Sequence, residues 1–186
     1  MDILFFENIT GKQEYIDFVE HIVKECSEEF FPPLLGRSST QQKSFGRQPS
    51  SNDKHSDKSY INNLLMQSNI FAIVDNNIAG FMSFIYDCHN EIFDKLGYGK
   101  NNYITTICVE PKFRGRGIAN ALYDFIEQKL PLKSKADFTS TRTWSGNKSH
   151  LSLLDRRGYS LIHKIKDDRE YQGQKADSVY YARKNT

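Results

Sequence analysis

The residues with the clearest chemical potential form the stretch Arg114-Gly115-Arg116-Gly117-Ile118-Ala119, between an apolar run ending at Val109 and a helical pattern. Glycine lets the backbone approach a ligand closely, because no Cβ stands in the way. The first N–H groups of a helix lack partners and carry partial positive charge, so an anion binds well beside them. The stretch predicts a phosphate-binding turn, and a tight turn with two solvated arginines is the alternative.

Two common phosphate motifs do not fit this turn. A Walker loop requires Gly-Lys-Ser/Thr after four spacer residues, and the sequence contains no such run. The dinucleotide pattern GxGxxG fails as well, since Asn120 stands where the third glycine belongs. The turn therefore predicts a phosphate site of another kind.

Hydrophobic periodicity places the turn within a series of strands and helices. Asp75-Asn76-Asn77 separates two β-branched and aromatic runs, which is typical of a hairpin. The order β-α-α-β-β-β-α-β-α-β-β predicts a single-domain α/β (α+β) fold over residues 1–186, with a mixed central sheet flanked by helices. The predicted strands are Ile3–Phe6, Asn69–Val74, Ile78–Tyr86, Tyr103–Val109, Asp137–Trp144, Ser160–Ile165 and Ser178–Ala182, and the helices are Lys12–Phe31, Tyr60–Met66, Gly117–Leu130 and Lys148–Arg157.

The segment from Gly36 to about Lys58 is rich in Ser, Gln, Lys and Asn and nearly free of aliphatic residues. Such a composition buries little surface, so it predicts a long flexible loop. A lid over a site and a disordered insert both remain open.

Composition excludes several classes of protein. A formal net charge of +2 is too small for a nucleic-acid-binding domain. Three cysteines without a CxxC pair predict neither a disulfide framework nor a metal site. The first residues predict neither a signal peptide nor a membrane span, so a cytoplasmic protein is expected.

Two motifs resemble those of the GNAT superfamily of N-acetyltransferases. Arg114-x-x-Gly117-x-Ala119, preceded by Val109-x-Pro111, resembles the family's motif A. Asn147, a helical pattern and then Gly158-Tyr159 resemble its motif B. Together with the order of elements, the resemblance covers roughly the last two-thirds of the chain.

The resemblance implies an acyltransferase that uses acetyl-CoA, without a metal, to acetylate a primary amine of a small molecule or a protein. The amine would attack the thioester directly. Asn147 would contact the CoA arm, although a helix N-cap is an equally weighted interpretation of this residue. The resemblance places the pyrophosphate on the loop of Arg114, Gly115, Arg116, Gly117, Ile118, Ala119 and Asn120, and the pantetheine arm along Ile107, Cys108 and Val109.

The sequence departs from the family at the positions that usually carry proton transfer. Leu154 stands where the family often has a tyrosine acid, and Thr105-Thr106 and Ser140-Thr141-Arg142 lack the usual glutamate. Deprotonation through water would need no dedicated residue. The candidates for the base are Asp87, His89, Glu91 and Glu29, and a solvated residue is the alternative interpretation of each.

Arg142 is a candidate for binding a carboxylate or phosphate of the acceptor, and an edge or surface arginine is the alternative. Cys108, flanked by Ile107 and Val109, is interpreted as core packing rather than as a nucleophile.

Two other functions remain open. A catalytically silent acyl-CoA-binding regulatory module would share the fold and lack the usual acid and base. A different phosphate-binding domain would bind no CoA. A homodimer is a further expectation, because the family often pairs an edge strand, here assigned to Ser178–Ala182, across a dimer.

Overall fold

The computed structural model describes residues 1–35, 57–130 and 134–185. Short 3₁₀ turns at Ser27–Glu29 and Pro111–Phe113 and a π-helical turn at Phe125–Lys129 accompany the regular elements. The strands are β1 (Asp2–Phe6), β2 (Ser68–Val74), β3 (Asn77–Cys88), β4 (Asn101–Val109), β5 (Phe138–Trp144), β6 (Ser160–Tyr171) and β7 (Gln174–Lys184). The helices are α1 (Gln13–Cys26), α2 (Asp57–Leu65), α3 (Glu91–Lys95), α4 (Ile118–Asp124) and α5 (Lys148–Arg156).

The seven strands form one sheet in the order β1-β2-β3-β4-β5-β7-β6. Among these described strands, β4 and β5 make the single parallel pair, and every other neighbour is antiparallel. The prediction of a mixed sheet flanked by helices is therefore confirmed.

Helices cover both faces of the sheet. Ile118, Leu122 and Ile126 bury one stripe of α4 and its π turn in a core shared with Leu153 and Leu154 of α5. On the opposite face, α1 and α2 bury Val19, Ile22, Val23, Tyr60 and Leu64 in a second core. Helical spacing of apolar residues in α1 and α4 drives both contacts, because each helix presents one apolar face to the sheet.

The β2–β3 hairpin turns as the sequence predicts. Asp75 and Asn76 adopt positive φ angles of 49° and 60°, which favour a two-residue turn between twisted strands. Both residue types tolerate this left-handed conformation better than most.

Helix α3 lies in the segment that the sequence analysis assigned as a polar connector. Asn90 caps it by accepting a hydrogen bond from the Ile92 backbone N–H, at 3.0 Å. Phe93 is fully buried against Tyr103 and Tyr180. A five-residue helix carries too little periodicity to predict, and its stability comes from this tertiary contact.

The last hairpin is longer than predicted. β6 continues to Tyr171, and the turn forms at Gln172 and Gly173, which have φ angles of 50° and 75°. The expectation that Ser178–Ala182 forms an edge strand is wrong, because β7 lies between β5 and β6 and both of its hydrogen-bonding edges are occupied.

The predicted loop at 36–58 falls mainly on residues 36–56, which lie outside the described residues. Its predicted end is two residues too late, since α2 begins at Asp57.

Candidate functional site

The two parallel strands separate part-way along their length. Ile104 and Thr141 form the last position at which β4 and β5 pair with each other, and beyond it β4 continues to Val109 and β5 to Trp144. The separation opens a cleft of about 610 Å³, called here the β4–β5 cleft. This volume falls in the range of small-molecule sites. Residues from Ile104 to Val109, Arg142, Thr143, the 114–120 turn, α5 and the end of α1 line it.

A β-bulge at Thr105 marks the point of separation. Thr106 lies opposite Ser83 and Ile104 lies opposite Phe84, so Thr105 is an extra residue in β4. Because a bulge reverses the alternation of side chains, Ile104 and Ile107 both contact the core beneath α4 and α5. From Ile107 to Val109, the β4 backbone lines the cleft and pairs with no described strand on its β5 side.

The glycine turn opens one end of the cleft. Gly115 and Gly117 have φ angles of 76° and 78°, a left-handed conformation that L side chains rarely adopt. A Cβ added to either glycine would meet no heavy atom within 4 Å. The glycines therefore serve the backbone conformation and leave open space above the turn, as a bound phosphate group requires.

The two arginines of the turn point in different directions. Arg114 lines the cleft, and its guanidinium donates to Glu29 Oε1 at 2.7 Å, to Cys26 Sγ at 3.5 Å and to the Val109 carbonyl at 3.1 Å. Arg116 is exposed and stacks over Phe113, 5.5 Å from the ring centroid, and it is not among the residues that line the cleft.

Asn147 is the N-cap of α5. Its Oδ1 accepts from the His150 backbone N–H at 3.4 Å, and its Nδ2 donates to Thr143 Oγ1 at 3.1 Å. The capping interpretation is thus observed directly. Asn147 also lines the cleft, so contact with a ligand stays a prediction.

His150 lines the same wall of the cleft, in the first turn of α5. Its Nε2 lies 2.7 Å from the hydroxyl of Tyr123, a fully buried residue of α4. Burial lowers the pKa of His150 to about 4 and raises the pKa of Tyr123, so both side chains are neutral at pH 7.

A cluster of polar groups lies on the β5 side of the cleft. Arg142 donates from Nη2 to Asp168 Oδ2 at 3.0 Å and from Nε to Ser178 Oγ at 3.2 Å. Arg169 donates to the same hydroxyl at 3.0 Å and to the Phe31 carbonyl at 2.8 Å. The side chain of Arg142 is only 3% exposed on an internal strand, so the alternative of an edge or surface arginine is wrong.

Of the four residues that the sequence suggests as the general base, the structure brings one to the cleft. Glu29 lines it and pairs with Arg114. Asp87 accepts from Ser134 Oγ at 2.8 Å and from the Lys135 N–H at 2.9 Å, which braces the segment before β5. His89 and Glu91 form surface pairs with Asp94 and Lys95, and neither they nor Asp87 line the cleft.

Two cysteines lie deep in the cleft wall. Cys26 and Cys108 are 2% and 3% exposed and share the core beneath α1. Hydrogen bonding to Cys26 and burial raise the pKa of the Cys108 thiol well above its usual value. A protonated, buried thiol is a poor nucleophile, in keeping with the packing interpretation of Cys108.

Sequence reasoning missed His150 and Arg169. His150 stands three residues after Asn147, and this spacing from the N-cap was the available signal. Arg169 lies in a polar run without alternation, and only its pairing with β7 makes it part of a strand.

Within the described ranges, no group of three or more His, Cys, Asp or Glu side chains could hold a metal ion. No helix there is long and apolar enough to cross a membrane.

Comparison with known proteins places the chain among acetyltransferases. The model of the acetyltransferase (GNAT) family matches residues 25–159. No curated protein sequence shows significant similarity to the chain.

Solved structures share the fold over the whole chain. A protein from Streptococcus mutans UA159 aligns with a TM-score of 0.66 and 18% identity, covering 100% of both chains. An N-acetyltransferase from Staphylococcus aureus Mu50 gives a TM-score of 0.66 at 11% identity, again with 100% of both chains covered. A chain of the NatC complex bound to Gag peptide and CoA gives a TM-score of 0.62 at 17% identity, with 100% of both chains covered. At these identities the likeness shows the fold alone.

Proposed function

The chain belongs to the GNAT acetyltransferase family, and we propose that it transfers the acetyl group of acetyl-CoA to a primary amine of a small molecule or a protein. The observation that supports this most is the β4–β5 cleft, which runs from the bulge at Thr105 to the open turn at Gly115 and Gly117. A donor whose thioester arm is followed by a pyrophosphate, as in acetyl-CoA, suits a cleft that is bounded in this way.

The residues present fit coenzyme A. The space above the glycine turn would take the pyrophosphate, held by backbone N–H groups of residues 115–120. The β4 backbone at Ile107, Cys108 and Val109, which lacks a strand partner on its β5 side, would hold the pantetheine arm as an added strand does. Asn147 stands on the facing wall of the cleft.

Acetyl transfer requires stabilisation of the charge that develops on the thioester oxygen. The backbone of β4 from Ile107 to Val109 is held in place by its pairing with β3, so an N–H group of this segment would donate to that oxygen without reorganising. The amine nitrogen forms a bond to the carbonyl carbon, the carbon–sulfur bond breaks, and coenzyme A leaves as the thiolate. The amine's proton passes to water or to Glu29, the base candidate that lines the cleft.

The acceptor would enter from the face covered by α1. Glu29 and Phe30 line that side of the cleft, together with Arg142 and Arg169. The guanidinium group of Arg142, which lines the cleft, favours an acceptor that carries an anionic group close to its amine. This extends the role predicted for Arg142. A cytoplasmic location and a homodimer remain predictions.

The silent acyl-CoA-binding module stays the alternative, because Leu154 leaves the usual acid position without a polar group. Two measurements test the proposal. Thermal unfolding should show stabilisation by coenzyme A and none by ATP at the same concentration. Acetyl-CoA consumption with a panel of amines should show turnover. Stabilisation by ATP alone would refute a CoA site, whereas tight binding without turnover on any amine would favour the silent module.

A further inference from the structure

Helix α5 places a polar side chain, His150, at the cleft, although the position where the family often has a tyrosine acid is Leu154. Leu154 is fully buried in the core beneath α4 and α5, and it does not line the cleft. His150, one helical turn earlier, does line it. His150 therefore supplies a polar group to the cleft wall one turn before Leu154.

The contact with Tyr123 fixes which nitrogen of His150 carries the proton. The buried Tyr123 hydroxyl needs an acceptor, and His150 Nε2 at 2.7 Å is its partner among the described residues. With the hydroxyl donating to Nε2, the proton of the neutral ring resides on Nδ1. The described part of the chain offers Nδ1 no hydrogen-bond partner, and the ring borders the cleft.

The surroundings of the pair keep it neutral and rigid. Tyr123 packs against Tyr159 at 5.7 Å between ring centroids, and Arg157 lies 5.4 Å over its ring. Arg157 is itself paired with Asp124 and Glu127. Arg156 is the charged residue of α5 that lines the cleft.

We propose that His150, oriented by Tyr123, donates a hydrogen bond from Nδ1–H to the sulfur that leaves the thioester. This inference rests on the proposed acetyl transfer. As the carbon–sulfur bond breaks, its electron pair moves to sulfur, and the Nδ1–H dipole stabilises the thiolate. His150 stays neutral throughout, the amine's proton goes to water or Glu29, and the thiolate takes a proton from solvent on release. His150 is the catalytic residue in this step, and Tyr123 is a positioning residue.

The pKa of the thiol of bound coenzyme A is a measure of this contact, and it can be determined without an amine substrate. The ultraviolet absorbance of the thiolate is titrated in the complex with saturating protein, for wild type and for His150→Ala. A donor aimed at sulfur stabilises the thiolate, so the thiol's pKa should be about one pH unit lower in the wild-type complex. His150→Gln, which retains an N–H donor, should recover part of the difference.

Controls separate this role from a structural one. His163→Ala, on β6 and not among the residues lining the cleft, should leave the thiol's pKa at the wild-type value. Tyr123→Phe keeps the packing and removes the hydroxyl, so it should give an intermediate pKa. In turnover, His150→Ala should lower kcat by about 10²-fold with little change in the KM for acetyl-CoA.

Equal thiol pKa values in the wild-type and His150→Ala complexes, at equal affinity for coenzyme A, would overturn the role of His150. Absence of coenzyme A binding to the wild type would overturn the proposed function itself, so the two failures are distinguishable.

Discussion

Ile104 and Thr141 are the last paired residues of two parallel strands that then separate, and the residues beyond them on β4 and β5 line one cleft. Thr105, next along β4, is the bulged residue. The end of β4–β5 pairing and the bulge coincide, so the same few residues create the space for a ligand.

The glycine turn gives the most direct test of the donor site. Gly117→Ala should weaken coenzyme A binding by tenfold or more, because the methyl group would stand in the open space over the turn. Gly97→Ala is a matched control, since Gly97 has a φ of 81° and the same open surroundings but follows α3 outside the cleft. Both variants should lose about 1–2 kcal/mol of stability through backbone strain. Calorimetric titration with coenzyme A measures the affinity, and equal losses in the two variants would contradict the phosphate site.

Substitutions on the two sides of the cleft should change the KM values of different substrates. Arg142→Ala should raise the KM of the acceptor without changing the KM of acetyl-CoA, because Arg142 lies on the acceptor side. Arg156→Ala should do the reverse, since Arg156 is exposed at the end of α5 and lines the part of the cleft proposed for the donor. Steady-state kinetics with each substrate varied in turn is the measurement. Thermal unfolding shows whether Arg142→Ala is folded, and an unchanged acceptor KM in folded protein would remove Arg142 from the site.

The base can be identified by comparing two glutamates. Glu29→Gln should lower kcat/KM by about 10²-fold and remove the acid limb of its pH profile, since no carboxylate then receives the amine's proton. Glu91→Gln changes the same chemical group at a surface pair outside the cleft and should leave both unchanged. If the acid limb persists in Glu29→Gln, proton transfer through water is the simpler mechanism.

The lowered pKa of His150 should make the free energy of unfolding depend on pH. The pKa of His150 is about 4 in the folded protein and near 6.5 when unfolded, so the unfolded chain binds the proton more readily between these values. The free energy of unfolding that depends on a neutral His150 is therefore fully present above pH 6.5. It falls by at most about 3 kcal/mol as the pH drops toward 4. Urea unfolding at a series of pH values should show this loss in the wild type and a flatter profile in His150→Gln. Parallel profiles would contradict the burial of a neutral ring.

Much of the fold could be predicted from the sequence, since strong local patterns were available. Local sequence patterns agree with the structure in three places. These are the apolar stripes of α1 and α4, the β2–β3 turn at Asp75 and Asn76, and the glycines of the 114–119 turn. Helix α3 and the outer half of the β6–β7 hairpin were missed, because Phe93 and β7 stabilise them from a distance in the chain.

The sequence by itself determined the class of fold and the donor end of the candidate site, since a strand, a glycine turn and a helix are contiguous and their geometry follows from local backbone preference. Only the tertiary structure decided the other end. Pairing between distant strands brings Arg169 beside Arg142, and helix packing sets Tyr123 against His150. The tertiary structure also places Asp87, His89 and Glu91 outside the cleft. These relations depend on contacts between residues far apart in the chain, and no local pattern encodes them.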